Sequence, residues 1–194
     1  MATVVVPFRS GGKSRLPDDL RVDLALAMLG DVLEAAVMHC DDVRLVTDDA
    51  AAASAARALG AGVIADPGGG QGAAVEAALF GAEAACLVVN ADLPCLTPAT
   101  LARLEELAPA HVPAADGTTN ALALPDRTWF TPTYGAGSAT RFTAAGLGLA
   151  TIVELQHDID TLDDLEQLEW LGLPLGRRTT LVLNQHKVLA ARTA

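Results

Sequence analysis

Short apolar runs alternate with segments of helical periodicity along the first half of the chain, and this alternation narrows the fold more than any other feature. Thr3 to Pro7 (TVVVP), Val43 to Thr47 (VRLVT), Gly62 to Ala65 and Ala85 to Asn90 (ACLVVN) read as buried strands. Between them, Leu20, Leu24, Met28, Leu29, Leu33 and Val37 recur at helical spacing from Asp19 onward, with Asp18 or Asp19 placed as N-cap. Helices are also predicted over Ala50 to Leu59, closed by Gly60, over Ala73 to Ala84, and over Pro98 to Leu107 with Thr97 as cap. Strand followed by helix, repeated, implies an α/β fold with a doubly wound parallel sheet, because parallel neighbours need a crossover long enough to hold a helix.

The second half is less regular. His111 to Ala114, Asn120 to Leu124 and Thr151 to Leu155 are predicted strands, with helices near Ser138 to Ala145 and Leu162 to Leu171. No linker, repeat or charge block separates the halves, so residues 1–194 are expected to form one domain, a length that buries a sizeable core.

Charge and cysteine usage restrict the function. A formal net charge of -11 argues against a nucleic-acid partner, which would require a basic face. Yet Arg9, Lys13, Arg15 and Arg21 crowd one short segment although the chain has only 13 basic residues, a pattern suited to a small anionic ligand. Cys40, Cys86 and Cys95 make no metal-ligand spacing and read as reduced thiols, pointing to the cytoplasm. The N-terminal sequence lacks a basic region followed by an apolar stretch, and no run is long enough to span a bilayer, so a soluble, untargeted protein is expected.

Four segments carry chemistry. The first, Phe8 to Leu16 (FRSGGKSRL), lies between a strand and a helix, where backbone amides and the helix dipole favour anions. Gly12-Lys13-Ser14 matches the end of a Walker A loop, but Pro7 stands where its first glycine belongs and Pro17 prevents a helix from starting directly after the lysine. The glycine fingerprint of dinucleotide-binding folds is missing as well. A merely solvated basic loop is the bland alternative.

The second segment, Asn90-Ala91-Asp92-Leu93-Pro94, places a carboxylate at the C-terminal end of a strand, where open α/β sheets bind ligands. Asp92 is a natural ligand for a hard cation, or else a cap for the next turn. In the third, His157 to Leu165, extended backbone would put Asp158 and Asp160 on one side, while Thr161 reads as N-cap and Asp163 and Asp164 as first-turn acids. The fourth joins Thr118-Thr119-Asn120 to Tyr134 through Phe142 (YGAGSATRF), whose hydroxyls and glycines can bind a phosphate or carboxylate; Ser138 could equally be an ordinary N-cap.

Taken together, Lys13-Ser14-Arg15-Leu16, Asp92-Leu93-Pro94, Thr119-Asn120-Ala121-Leu122, Tyr134-Gly135-x-Gly137-Ser138 and Asp158-Ile159-Asp160-Thr161-x-x-Asp164-Leu165 resemble the MobA-like nucleotidyltransferases. Within them, the chain is most similar to the guanylyltransferases that activate phosphoenolpyruvate or 2-phospho-L-lactate for coenzyme F(420) biosynthesis. The resemblance runs from Val4 to about Thr179. It implies a Rossmann-like, mostly parallel sheet of the nucleotide-diphospho-sugar transferase type, and a reaction between GTP and a phosphorylated three-carbon acid that releases pyrophosphate.

It further implies that Arg9, Gly11, Gly12, Lys13, Arg15 and Gly70 meet the nucleotide, with Lys13, Arg15 and Asp92 catalytic. Asp92, Asp158 and Asp160 would hold Mg2+, and Thr119, Gly135 and Ser138 would bind the acid. The chain departs from the family where Gly-Leu-Asn is usual: Gly70-Gln71-Gly72 stands there, without the side chain expected to meet base or ribose. The first loop is also shorter, with Phe8-Arg9 in place of the usual valine and lysine. A molybdopterin or sugar-phosphate nucleotidyltransferase, and a regulatory nucleotide-binding protein without catalysis, remain the competing readings. Trp170, Leu171, Leu173 and Leu175 offer an apolar surface through which a homodimer could form.

Overall fold

The computed structural model describes residues 2–9 and 15–186, which include a seven-stranded sheet in the order β3-β2-β1-β4-β6-β5-β7. Strand β1 (Thr3–Pro7) lies between β2 (Asp42–Val46) and β4 (Cys86–Val89), parallel to both, and β3 (Gly62–Ile64) extends the sheet beyond β2. On the other side β6 (Thr119–Leu124) runs antiparallel to β4 and to β5 (Ala110–Pro113), while β7 (Gly148–Leu149) is parallel to β5. The sheet is therefore mostly parallel. Strand β6 reverses because the tight link from β5, closed by Ala114 and Gly117 backbone bonds, is far too short for a parallel crossover.

Side chains alternate across the pleat, and this builds two cores from the same strands. Val4, Val6, Leu87 and Val89 face α1 (Asp18–His39), α2 (Ala50–Ala58) and α4 (Pro98–Glu106). Val5, Val88, Leu122 and Leu124 face α3 (Gln71–Leu79) and α5 (Ser138–Ala144), where Phe142 is the largest buried side chain. The expected doubly wound arrangement is thus present. A third cluster joins the far face of α1, through Leu20, Leu24 and Met28, to Ile159, to α7 (Leu162–Trp170) and to α8 (Arg177–Gln185).

Several local expectations need correction. Pro17, not Asp18 or Asp19, is the N-cap of α1, and both acids sit in its first turn, where the dipole favours them. Helix α3 starts two residues earlier than Ala73, because Gly70 at φ 95° turns the chain directly into it, and it ends at Leu79 before Gly81 at φ 75°. The segment expected as a strand over Thr151 to Leu155 instead contains the helical turn α6 (Val153–Gln156). Its buried residues, Ile152 and Leu155, are three apart, a helical rather than a strand spacing. Leu173 and Leu175, expected on an apolar contact surface, pack against the third core cluster, while Trp170 is exposed. Helix α8 and the 3-10 turn at Arg127–Trp129 lack a strong sequence signal and are seen only in the structure.

Helix α8 is fastened by one carboxylate. Buried Asp31 accepts hydrogen bonds from the backbone N–H groups of Arg178 and Thr179, each at 2.9 Å, satisfying donors that a helix start leaves open. Asp31→Ala strands both donors and is expected to cost about 1–3 kcal/mol, read as a lowered urea midpoint.

All three cysteines are free and buried; burial raises each thiol above its ordinary value, Cys95 to about 12, so they stay protonated and unreactive. Burial also lowers His111 from 6.5. Its Nε2 meets the Thr143 hydroxyl at 2.9 Å, and its Nδ1 has no hydrogen-bond partner among the described residues. Below pH 6.5 the unfolded chain therefore takes up a proton at His111 that the folded one refuses, so its contribution to stability falls as pH drops through that value. Urea midpoints measured from pH 7.5 to 5.5 should decline, and His111→Gln should flatten that decline.

No helix among the described residues is long and apolar enough to cross a membrane.

Candidate active site

A cavity of about 250 Å³ opens at the C-terminal ends of β1 and β4. This is the point at which successive crossovers leave the sheet in opposite directions, and where open α/β sheets form their binding crevice. Pro7, Phe8 and Arg9 line it from the end of β1 and the residues after it, Ala25 and Met28 from α1, Gln71 and Ala74 from α3, and Asn90, Ala91 and Asp92 from the segment that follows β4. Asp66 and Asp160 complete the wall.

Asp92, Asp158 and Asp160 come together here, each offering an oxygen within 4.8 Å of the others. Two stretches of chain far apart in sequence meet because the Ile159 N–H donates to the Asp92 carbonyl at 3.2 Å. The second stretch is held in turn by the start of α7. The Asp164 carboxylate accepts from the backbone N–H groups of Asp160 and Thr161, while Thr161 caps Asp164 reciprocally. Asp164 is thus structural, as its place after Thr161 suggests, and Asp158 and Asp160 are left to face Asp92. Three carboxylates at this spacing fit a hard divalent cation, which takes oxygen ligands.

Among the described residues, Arg9 and Arg15 of the clustered cations are held by acids at the cavity. Arg9 makes a two-pronged contact with Asp66, Nε at 2.6 Å and Nη2 at 3.1 Å, and this holds the Asp66 carboxyl below the usual carboxylate range. Arg15 Nη2 lies 2.6 Å from Asp160 Oδ2. Gly11, Gly12 and Lys13 lie outside the described residues. Sequence reasoning misses Asp66, yet it follows β3 just as Asp92 follows β4, so the strand-end argument applies to both.

Gly70, with Gly68 and Gly69, forms a turn in which three successive residues have positive φ, between 79° and 95°, conformations open to glycine. It borders a second cavity that shares Gln71 with the first and is closed by Gly72, Pro132, Tyr134 and Gly135. Thr119 and Ser138 are buried, with their hydroxyl oxygens 3.0 Å apart. Gly137, not Ser138, is the N-cap of α5. Beside them, the Arg141 guanidinium gathers the carbonyls of Thr133, Tyr134, Gly135 and Ala136, fixing the loop that carries Gly135.

The MobA-like NTP transferase domain matches residues 21–147 of this chain. The chain is 41% identical to the phosphoenolpyruvate guanylyltransferase of Streptomyces coelicolor, over 93% of its own length and 94% of the relative's. It is 37% identical to the enzyme of the same name from Salinispora arenicola, over 98% and 97% of the two chains. Among solved structures, a protein from Desulfovibrio desulfuricans G20 provisionally described as a nucleotide-diphospho-sugar transferase superposes with a TM-score of 0.70 at 19% identity, covering 98% of this chain and 97% of that one. That likeness concerns the fold. Sequence, fold and relatives agree, and the chain belongs to the MobA-like NTP transferase family, alongside the phosphoenolpyruvate guanylyltransferases.

Proposed function

We propose that this chain transfers GMP from GTP to phosphoenolpyruvate, or to 2-phospho-L-lactate, releasing pyrophosphate in coenzyme F(420) biosynthesis. The observation that carries the reading is the trio Asp92, Asp158 and Asp160 beside a cavity at the sheet's switch point. The names of its relatives supply phosphoenolpyruvate and the guanylyl group, and the resemblance in sequence supplies 2-phospho-L-lactate.

In this reaction a phosphate oxygen of the acid attacks the α-phosphorus of GTP, and the bond to the α–β bridging oxygen breaks as pyrophosphate departs. The attacking group is already an anion, so the enzyme supplies alignment and charge neutralisation rather than a nucleophile of its own. Mg2+, held by the three aspartates, would neutralise charge on the phosphate oxygens. Arg15 stands beside Asp160, within reach of the same region, and with Lys13 would receive the leaving pyrophosphate. Arg9, Gly11, Gly12 and Gly70 would border the nucleotide. Thr119 of β6, Ser138 of α5 and Gly135 of the loop that Arg141 secures would bind the acid. The whole chain would act as one domain in the cytoplasm, as a monomer or homodimer.

The test is pyrophosphate release by the purified chain with GTP, Mg2+ and each acid, with the product identified by mass as GMP joined to the acid through a new phosphoanhydride. Release with GTP and phosphoenolpyruvate is expected. GTP binding without release for any acid would overturn the proposal in favour of a regulatory nucleotide-binding protein.

A further inference from the structure

An unbroken line of side-chain amides runs from the aspartate trio to the wall shared by both cavities. Asn120 Nδ2 donates to Asp158 Oδ1 at 3.3 Å, Asn90 Nδ2 donates to Asn120 Oδ1 at 3.2 Å, and Gln71 Nε2 donates to Asn90 Oδ1 at 2.7 Å. The direction of the line is dictated by its ends. An ionised carboxylate only accepts, so Asn120 must turn its NH2 toward Asp158 and its oxygen toward Asn90. The Thr119 carbonyl, also acceptor only, takes a second bond from Asn90 Nδ2 at 3.3 Å and fixes that amide independently. Gln71 is then left in one orientation, with a single N–H given to Asn90, and its carbonyl oxygen and second N–H have no hydrogen bond among the described residues and remain for a group in the cavity it lines.

We propose that Gln71 reads the six-position of the purine base, and that Asn90 and Asn120 are positioning residues that make this reading selective. The proposal rests on a nucleoside triphosphate being the ligand of this cavity. An amide free to rotate by a half-turn offers donor and acceptor in either order, so it pairs equally with the 6-oxo, N1–H edge of guanine and the 6-amino, N1 edge of adenine. An amide locked by the relay offers one order and favours one class of base. Gly72 cannot take over the task, because a Cβ there would lie 2.9 Å from the Pro132 Cβ and 3.1 Å from its carbonyl oxygen.

The experiment measures equilibrium binding of GTP, ITP and ATP to the full chain with Mg2+, which does not depend on catalysis. The wild type should prefer both 6-oxo nucleotides over ATP, ITP following GTP. Gln71→Ala and Asn90→Ala should each shrink the GTP-to-ATP affinity ratio by on the order of 10-fold, as expected for loss of a two-point contact to a base edge. Asn120→Ala leaves Asn90 held by the Thr119 carbonyl and should shrink the ratio less than Asn90→Ala does, a ranking that a merely structural role for position 90 would not require. Gln71 borders two cavities, so Gln71→Ala decides between the outcomes if Asn90→Ala does not fold. A wild type that binds the three nucleotides alike, or a Gln71→Ala ratio equal to the wild type's, overturns the proposal. A retained ratio pattern without pyrophosphate release would overturn the proposed transfer reaction alone.

Discussion

Asp92→Asn is expected to lower turnover by on the order of 100-fold or more while leaving the fold intact. Asparagine fills the same volume, and the Asp92 carbonyl that receives the Ile159 N–H belongs to the backbone, so the join between the end of β4 and the Asp158–Asp160 stretch survives. What is lost is one of three negative charges gathered within 4.8 Å. A divalent cation is thereby held less tightly and less well centred on the phosphate oxygens, and a preorganised charge is worth most where charge redistributes during reaction. Pyrophosphate release measured across a magnesium titration separates the two effects: weaker binding is recovered at high Mg2+, whereas misplacement is not. Turnover equal to the wild type's at saturating Mg2+, with an unchanged urea midpoint, would remove Asp92 from the mechanism.

Much of this site is legible in the sequence because it is built where strands end. Asp92 follows the apolar run of β4, and strand ends in an open α/β sheet are where ligands bind. Asp158 and Asp160 are legible by elimination, since Thr161 and Asp164 already account for the start of α7. The Gln71-Asn90-Asn120 line is different. Its members stand 19 and 30 residues apart, and nothing local to any of them signals the others. Only the placement of β6 against β4 brings Asn120 beside Asn90. The short helix at Val153–Gln156 fails for a different reason: a single buried turn and a short strand share the same apolar composition, and only the spacing of Ile152 and Leu155 separates them.

Phe142→Ala should be the most destabilising single change on the α5 face of the sheet, costing about 3–5 kcal/mol. The ring is the largest fully buried side chain among the described residues, 1% exposed, and it packs with Leu122 and Leu124 of β6 in the second core cluster. It also meets the Tyr134 ring edge-on, with centroids 5.3 Å apart and planes at 74°, so truncation removes an aromatic pair as well as apolar volume. For a chain of this size the loss should lower the thermal midpoint by on the order of 10 °C. The consequence reaches the site because Tyr134 adjoins Gly135 on the loop whose carbonyls Arg141 holds, and Arg141 is the immediate neighbour of Phe142. With the ring gone, the guanidinium still binds the loop, but the edge-on contact no longer presses Tyr134 into place. If that loop receives the phosphorylated acid, KM for the acid should rise in Phe142→Ala well below its melting temperature by more than KM for GTP, whose proposed cavity is lined by α1 and the end of β4 as well as by α3. An equal rise in both constants would mean that the two sides of the sheet loosen together, and that the acid is not bound by this loop.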